Sequence, residues 1–172
     1  MRFSKMRLTK PEVIVDMFAG LGYFTIPLSY ANKDKILRYV AMEKNPNSWF
    51  YLKQNLVLNG VEDKVEAVNG DNRLICDDLK SKCDRILMGY LPNTKDFIPR
   101  ALELANRDHC LVHYHYLAKK EEAREIATAD FQDCFASCGF PNAAMEIVEV
   151  SKVKNYAPKL LHFCTDIIIK LQ

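Results

Sequence analysis

The stretch "VDMFAGLGYF", residues 15–24, decides the fold because it joins an apolar run to a loop with two closely spaced glycines. The overlapping run "EVIVDMF" (12–18) is short and β-branched, which is typical of a strand buried on both faces of a parallel sheet. Gly20 and Gly22 can adopt backbone angles closed to other residues and let a ligand approach the chain. The stretch therefore predicts a first strand followed by a ligand-binding loop.

Strand and helix patterns alternate along the rest of the chain. Further strands are predicted at 36–43, 64–70, 83–90, 109–116, 145–153 and 160–170, and helices at 23–31, 45–60, 95–106 and 121–138. This alternation favours an α/β fold with a mostly parallel, seven-stranded sheet and helices on both faces. No helical pattern separates the last two strands, so we expect an antiparallel pair that supplies one antiparallel edge strand.

Composition restricts the class of protein. The chain has 172 residues, 49% of them hydrophobic, which is enough for one compact domain without disulfides. No apolar run is long enough to cross a bilayer, and a net charge of +2 does not by itself indicate a nucleic-acid binder. The six cysteines form no C-x-x-C pair and no secretory signal is evident, so we expect reduced thiols in a cytoplasmic protein. Cys134 and Cys138 lack a second ligand pair, so no metal site is expected.

Polar residues follow three successive strands at their carboxyl ends: Asp16 after the first, Glu43 after the second, and Asp71 with Asn72 after the third. In open parallel sheets the ligand binds beyond these ends, where the strand order reverses. Glu43 is placed to accept hydrogen bonds from ribose hydroxyls, and Asp71 with Asn72 to bind adenine. One acid alone is as often a helix cap or a solvated turn, but three together favour a nucleoside pocket. The third glycine of a dinucleotide fingerprint is missing, and the acids favour a cationic ligand such as S-adenosylmethionine.

Several stretches together resemble a known family. They are "VDMFAGLGYFTIPL", "AMEKNP", "YLKQNLVLN", "GDNR", "DRILMGY", "HYH" and "KNYAPKLLHFCTDI". They look like the class I, Rossmann-like S-adenosylmethionine-dependent enzymes that modify the guanosine beside the tRNA anticodon. That group contains guanine N1-methyltransferases and the wybutosine-pathway tRNA aminocarboxypropyltransferases. The methyltransferases carry an asparagine where this chain has Gly89 in "MGYLP" (88–92), so the sequence is more similar to the aminocarboxypropyl branch.

The resemblance implies an activity and partners. The chain would move the 3-amino-3-carboxypropyl group of S-adenosylmethionine onto a tricyclic guanine derivative in the anticodon loop of tRNA(Phe), releasing methylthioadenosine. The alternatives are a tRNA guanine N1-methyltransferase and a non-catalytic module that binds S-adenosylmethionine or RNA. Residues 13–172 would form the catalytic domain, and residues 1–12 the remnant of an N-terminal region. We expect a cytoplasmic monomer that needs no metal and contacts no membrane.

Candidate site residues come from the glycine loop, the strand ends and the resemblance. The residues expected to bind the cofactor are Ser4, Asp16, Phe18, Gly20, Gly22, Tyr23, Glu43, Lys44, Asp71, Asn72 and Gly89. Ser4 comes from the resemblance alone, in "RFS", and the sequence that follows it departs from the family pattern.

Candidate catalytic residues are His113, His115 and Tyr90. The two histidines share one face of the fifth strand and are placed to take the proton released by the acceptor ring or to orient the base. Tyr90, with Tyr23 and Tyr156, can stack on a flat base. Plain packing within the sheet is the alternative for each.

Candidates for binding phosphates are Arg73, Arg85, Lys152, Lys154 and Lys159, the last three above all, whereas His109 and His162 are expected to be structural.

Overall fold

The computed structural model describes residues 2–92 and 94–172, without the side chain of Arg2. Its strands are β1 Glu12–Asp16, β2 Ile36–Glu43, β3 Glu66–Asn69, β4 Arg85–Met88, β5 Cys110–Ala118, β6 Ala144–Ala157 and β7 Leu160–Lys170. Its helices are α1 Arg2–Lys5, α2 Thr25–Ala31, α3 Pro46–Leu58, α4 Ile98–Leu104 and α5 Ala123–Ser137. One seven-stranded sheet has the order β3-β2-β1-β4-β5-β7-β6. The predicted α/β fold is confirmed.

The direction of the strands agrees with the prediction except in one detail. Strands β1 to β5 pair in parallel, whereas β7 pairs antiparallel with both β5 and β6. The antiparallel strand therefore lies one place in from the edge, and β6 forms the edge itself. The reason is burial: β7 is buried along most of its length, whereas β6 alternates between exposed and half-buried residues and so tolerates an edge position.

Two hydrophobic layers cover the sheet. Helices α1, α2 and α3 pack on one face, with a core that includes Phe3, Ile14, Leu28, Tyr39 and Leu52. Helices α4 and α5 pack on the other, with a core that includes Ile86, Ile98, Val112, Tyr114 and Phe131. Successive residues of a strand point to opposite faces, which is why Ile14 and its neighbour Val15 belong to different layers. No helix of the described residues combines the length and apolar composition needed to cross a membrane.

Helix α3 begins as its sequence predicts. The Asn45 side chain accepts hydrogen bonds from the backbone N–H groups of Asn47, at 2.9 Å, and Ser48, at 3.3 Å, and Pro46 occupies the first helical position. This cap fixes the chain directly after β2, next to Glu43 at the end of that strand. The end of β2 is therefore held rigidly where a ligand is expected.

Candidate functional site

A cavity of about 610 Å³ opens at the carboxyl ends of β1 to β4, the position predicted for a ligand. We call it the strand-end cavity. Seven predicted site residues line it: Phe18, Glu43, Lys44, Asp71, Asn72, Gly89 and Tyr90. Six lining residues were not predicted to bind the cofactor: Met17, Asn45, Ser48, Arg73, Asp96 and Phe97. The sequence therefore predicted most of the residues that follow the strands, but not those from the start of α3 or from the segment before α4.

Glu43 is fixed by the glycine loop. The backbone N–H of Gly20 donates to Glu43 Oε2 at 2.8 Å, and the N–H of Asn45 donates to Oε1 at 2.7 Å. Gly20 has a φ of +55°, a left-handed angle that glycine adopts without strain and that turns its N–H toward the carboxylate. A carboxylate oxygen accepts two hydrogen bonds, so each oxygen keeps one acceptor position for a ligand hydroxyl. The arrangement suits the two hydroxyls of a ribose.

Gly22 has a different reason for being glycine. Its φ is +98°, and a Cβ atom added there would lie 2.5 Å from Ile26 Cδ1 and 3.1 Å from Leu52 Cδ1. The residue thus allows the loop to pack tightly against α2 and α3. It does not line the strand-end cavity, so packing and not ligand contact explains this position.

Asp71 carries a firmly ionised carboxylate. Arg73 donates to it through Nε at 2.9 Å and a terminal nitrogen at 2.7 Å, and Lys44 Nζ lies 3.0 Å from Oδ2. The hydrogen bonds from Arg73 hold the pKa of Asp71 well below its usual range, with a smaller contribution from Lys44 and against the opposing effect of desolvation. The Asp71 carboxylate consequently stays ionised at physiological pH, with its charge balanced by Arg73 and Lys44.

Asn72 supplies a buried hydrogen-bond acceptor. Its Nδ2 donates to the Met17 carbonyl at 2.8 Å, which fixes the orientation of the amide, and its Oδ1 has no hydrogen-bond partner among the described residues. A buried unpaired acceptor is costly, so a ligand donor such as the amino group of adenine would stabilise it. Arg100 holds this loop from behind, because it donates to the carbonyls of Asn72 at 2.9 Å and Ile75 at 2.7 Å. Nothing in the helical pattern around Arg100 signalled this role.

Aromatic rings form one wall of the cavity. The rings of Phe18 and Tyr90 stack with centroids 5.1 Å apart and planes 20° apart, and Phe97 meets Phe18 edge-on at 4.8 Å. The Arg73 guanidinium lies 5.1 Å from the Phe97 centroid. Such a wall suits the flat face of a purine beside the polar groups of Asp71 and Asn72.

Asp16 lies beneath the loop and not in the cavity. It is fully buried and accepts hydrogen bonds from the Thr25 hydroxyl at 2.8 Å and the Phe18 N–H at 3.1 Å. Burial raises its pKa to about 6; the two hydrogen bonds oppose the rise, and the charge of Glu43 adds to it. The predicted contact with the cofactor is therefore replaced by a positioning role for Phe18 and the glycine loop.

Three predicted cofactor residues lie in a different place. Ser4, Gly22 and Tyr23 line a groove of about 820 Å³ beside α2 and α3, and this groove shares no lining residue with the strand-end cavity. Ser4 lies on α1 and is exposed, and Tyr23 points outward with 64% of its surface exposed. The structure does not bring these side chains to the predicted site.

His113 and Arg85 belong to a buried network inside the sheet. Arg85 donates to Glu12 at 2.6 Å and 3.0 Å and to His113 Nε2 at 2.7 Å, and His113 Nδ1 lies 2.7 Å from Asp166 Oδ1. A guanidinium only donates, so Nε2 accepts and Nδ1 carries the proton that is donated to Asp166. The prediction of a catalytic His113 is not supported by this geometry, and the suggestion that Arg85 meets phosphate is wrong, because both side chains are buried in the network.

This network does not suit a metal ion. Among the described residues, His113, Cys164 and Asp166 form a group of possible metal ligands, because their ligand atoms lie within 4.8 Å of one another. The Arg85 guanidinium contacts the same imidazole and opposes a second cation. Cys134 and Cys138 are free thiols and are not part of the group.

His115 lies on the same sheet face as His113 but in other surroundings. Its Nδ1 is 2.8 Å from His162 Nε2, and its ring stacks on Phe24 with centroids 4.8 Å apart. His162 is buried in this pair, in keeping with its predicted structural role. Tyr114, between the two histidines in sequence, points to the opposite face. The remaining phosphate candidates, Lys152, Lys154 and Lys159, are exposed on the β6–β7 hairpin together with Tyr156.

The strand order and the site define a class of protein. A sheet of order β3-β2-β1-β4-β5-β7-β6 with a polar, aromatic-walled cavity at the ends of β1 to β4 is the Rossmann-like fold of S-adenosylmethionine-dependent methyltransferases. Within this class, the chain belongs to the TRM5/TYW2 methyltransferase domain family, whose model matches residues 2–139.

Individual relatives agree with this placement. A Pyrococcus horikoshii protein named tRNA(Phe) (4-demethylwyosine(37)-C(7)) aminocarboxypropyltransferase is 35% identical over 96% of this chain and 57% of its own length. The crystal structure of M. jannaschii TYW2 in complex with AdoMet has a TM-score of 0.87 and 33% identity, covering 99% of this chain and 74% of that one. The crystal structure of the M. jannaschii tRNA m1G37 methyltransferase has a TM-score of 0.79 and 27% identity, covering 99% and 48%. The chain thus spans only part of the length of its relatives.

Proposed function

We propose that this chain is a tRNA-modifying transferase that uses S-adenosylmethionine as the donor of a 3-amino-3-carboxypropyl group. The acceptor is a tricyclic guanine derivative beside the anticodon of tRNA(Phe), and the second product is methylthioadenosine. One observation carries the proposal: Glu43, Asp71 and Asn72, from the ends of two neighbouring strands, converge on a single cavity beside the glycine loop. The names of the relatives in Pyrococcus horikoshii and Methanocaldococcus jannaschii support the choice of reaction.

The residues of the strand-end cavity fit the adenosine part of this donor. The free acceptor positions of Glu43 suit the ribose hydroxyls, and the buried Oδ1 of Asn72 suits the amino group of adenine. Phe18 and Tyr90 would cover the flat ring.

In this reaction the protein must orient the donor more than activate it. A sulfonium makes each attached carbon electrophilic, so the protein selects the product by choosing which carbon faces the acceptor at about 3 to 3.5 Å. Gly89 borders the cavity at the end of β4, and Tyr90 follows it as a half-exposed aromatic side chain. These two residues are placed to form the boundary between donor and acceptor.

Gly89 also supports the choice between the two branches of the family. A Cβ atom at this position would lie 2.5 Å from Phe24 Cε2, so the Phe24 ring already occupies the space that a larger residue would need. An asparagine, expected here in the methyltransferase branch, cannot stand at this position unless Phe24 moves. Gly89 thus leaves the space that the Phe24 ring fills, and the glycine in place of the asparagine favours aminocarboxypropyl transfer.

Further properties follow from this proposal. Residues 13–172 form the catalytic domain, and residues 1–12, of which Met1 lies outside the described residues, belong to an N-terminal region whose last residue, Glu12, already begins β1. Phe3 and Leu8 of that region are buried against the α2 face. The chain acts as a monomer in the cytoplasm, where its tRNA partner resides and its six free cysteines stay reduced.

A product analysis tests the proposed reaction. The chain is incubated with S-adenosylmethionine and tRNA(Phe) that carries the tricyclic precursor, and the small molecules are identified by mass spectrometry. Methylthioadenosine, formed in step with an RNA mass gain, is expected. S-adenosylhomocysteine would instead identify a methyltransferase, and binding of the donor without either product would identify a non-catalytic module.

A further inference from the structure

A further cavity, of about 470 Å³, lies on the face of the sheet that carries α1 and α2. We call it the aromatic cavity and define it by Phe3, Phe24, His115, Glu149, Ser151 and Lys152. It shares no lining residue with the strand-end cavity. The residues proposed to bind the donor do not line this cavity, so the donor site does not explain it.

The inner wall of the aromatic cavity is a group of packed rings. Phe24 and His115 stack with centroids 4.8 Å apart and planes 18° apart, and Phe3 lies 4.8 Å from Phe24. Planar heterocycles add to such groups through their own π-faces. On the opposite side β6 brings the Glu149 carboxylate, the Ser151 hydroxyl, which donates to it at 2.5 Å, and the Lys152 ammonium group, and the ammonium suits the polar edge of a base. The lining therefore fits a nucleobase better than an aliphatic ligand.

One aromatic ring, that of Phe24, lies where the two cavities come closest. Gly89 lines the strand-end cavity, Phe24 lines the aromatic cavity, and an added Cβ on Gly89 would lie 2.5 Å from Phe24 Cε2. Group transfer requires donor and acceptor atoms to come within about 3 to 3.5 Å. The Phe24 atoms nearest to this Cβ, Cε2, Cδ2 and Cζ, lie along one edge of the ring. An acceptor base stacked on Phe24 must extend past this edge toward Gly89, where the donor is expected to present its reactive carbon, because a base wholly behind the ring would stay out of reach.

Positive charge continues from the cavity along the β6–β7 hairpin. Lys152 lines the cavity, and Lys154 and Lys159 lie further along the hairpin, all three exposed. Lys154 pairs with His162 in the strand register, and His162 in turn contacts His115 at 2.8 Å. Exposed lysines beside a base pocket are suited to RNA phosphates, because each one that neutralises a phosphate releases counterions.

We propose that the aromatic cavity receives the acceptor base of the RNA substrate, with the lysines of the β6–β7 hairpin against the neighbouring phosphates. The inference rests on the proposed function and names the place where its second substrate binds. It assigns to Phe24 and His115 a direct contact with the base, and to Lys152 a contact with the backbone.

Base binding can be measured without catalysis. An anticodon stem-loop RNA carries 2-aminopurine at the acceptor position, and its fluorescence is followed while the chain is added. Stacking in the cavity should quench the fluorescence.

Three variants test the cavity. Phe24→Leu should weaken binding about tenfold, which is the scale of losing one base–aromatic stack. Ser151→Leu, on the half-buried part of the edge strand, should fill the cavity and weaken binding by at least as much. Tyr30→Leu, in the separate groove beside α2, is the matched control and should bind like wild type.

The affinity for the donor separates this proposal from the alternative that the aromatic cavity holds the amino acid end of S-adenosylmethionine. Calorimetry should show that Ser151→Leu binds S-adenosylmethionine and methylthioadenosine as the wild type does, with an unchanged melting temperature. A selective loss of S-adenosylmethionine affinity would overturn the proposal, because the cavity would then hold the amino acid end of the donor. Unquenched fluorescence with wild type, or equal quenching in all variants, would also overturn it.

Turnover distinguishes this proposal from the proposed function. If Ser151→Leu releases methylthioadenosine with an unchanged KM for RNA, the aromatic cavity is not the acceptor site, although the reaction stands. If wild type quenches the RNA fluorescence and Ser151→Leu does not, but no methylthioadenosine forms on precursor tRNA, the cavity binds the base and the proposed reaction is wrong.

Discussion

Replacing Asp16 with asparagine tests the electrostatics beneath the glycine loop. Asp16 is fully buried, and its pKa is raised from 3.8 to about 6, chiefly by burial. The acid is thus easier to ionise in the unfolded chain than in the folded protein. Its contribution to stability is fully present below pH 3.8 and is lost as the pH rises through 6. Asparagine keeps the shape of the side chain and abolishes this titration.

The size of the effect follows from the pKa. A change from 3.8 to about 6 corresponds to about 3 kcal/mol, as an order of magnitude, between the neutral and ionised carboxyl groups. The asparagine variant also loses an acceptor for either the Thr25 hydroxyl or the Phe18 N–H, but that loss does not depend on pH. Relative to wild type, Asp16→Asn should therefore gain about 3 kcal/mol in unfolding free energy between pH 4 and pH 8.

Urea unfolding followed by circular dichroism at several pH values measures this difference. Subtracting wild type from variant cancels the other titrating groups, including Asp71, whose lowered pKa acts in the opposite direction. Thr25→Val is a useful second variant, because losing a hydrogen bond to the ionised carboxylate should raise the pKa of Asp16 further and shift the transition to higher pH. A difference between Asp16→Asn and wild type that stays constant from pH 4 to pH 8 would refute the reasoning.

Three further predictions concern packing and thiols. Gly22→Ala should cost about 3 kcal/mol of stability, because φ is +98° and the new Cβ would lie 2.5 Å from Ile26 Cδ1; Ile26→Val should recover part of it, and a loss below about 1 kcal/mol in chemical denaturation would contradict this account. Gly89→Ala should cost about 2 kcal/mol of stability through its clash with Phe24. In thermal melting, the same substitution should lower the melting temperature less in a Phe24→Leu background than in the wild type, and an equal loss in both would contradict the clash. Burial raises the pKa of Cys83 to about 12, so Ellman's reagent at pH 8 should modify the native protein slowly and the urea-unfolded protein at all six cysteines; rapid modification of six thiols in the native state would show the burial to be wrong.

Topology made part of the site predictable. The carboxyl ends of neighbouring parallel strands meet at one edge of a sheet, so residues that directly follow strands must come together. Glu43, Asp71 and Asn72 were placed by this rule alone, and all three line the strand-end cavity. The N-terminal cap of α3 was equally predictable, because Asn45 and Pro46 act within one turn of the chain.

Other parts depend on contacts between residues far apart in sequence. His113 looked catalytic because of its place on a strand, but Arg85, Asp166 and Glu12 engage it in a network that spans the sheet. No local pattern reveals such a network. Side-chain direction was the second obstacle: Tyr23 follows the loop that binds Glu43, yet points into a different groove. Phe97 is the opposite case: it lines the cavity, although it lies well beyond the end of β4, because the segment after β4 folds back.

Calorimetric titration of Glu43→Gln with S-adenosylmethionine tests the central claim most directly. The variant keeps the size of the side chain but replaces the carboxylate that the Gly20 and Asn45 N–H groups orient toward the cavity. Hydrogen bonds to a charged group contribute about 1.5 to 3 kcal/mol, so affinity should fall at least about tenfold for both S-adenosylmethionine and methylthioadenosine. The exposed Glu62→Gln variant should bind both like wild type. Equal affinities for Glu43→Gln and wild type would contradict the assignment of the strand-end cavity to the adenosine of the donor.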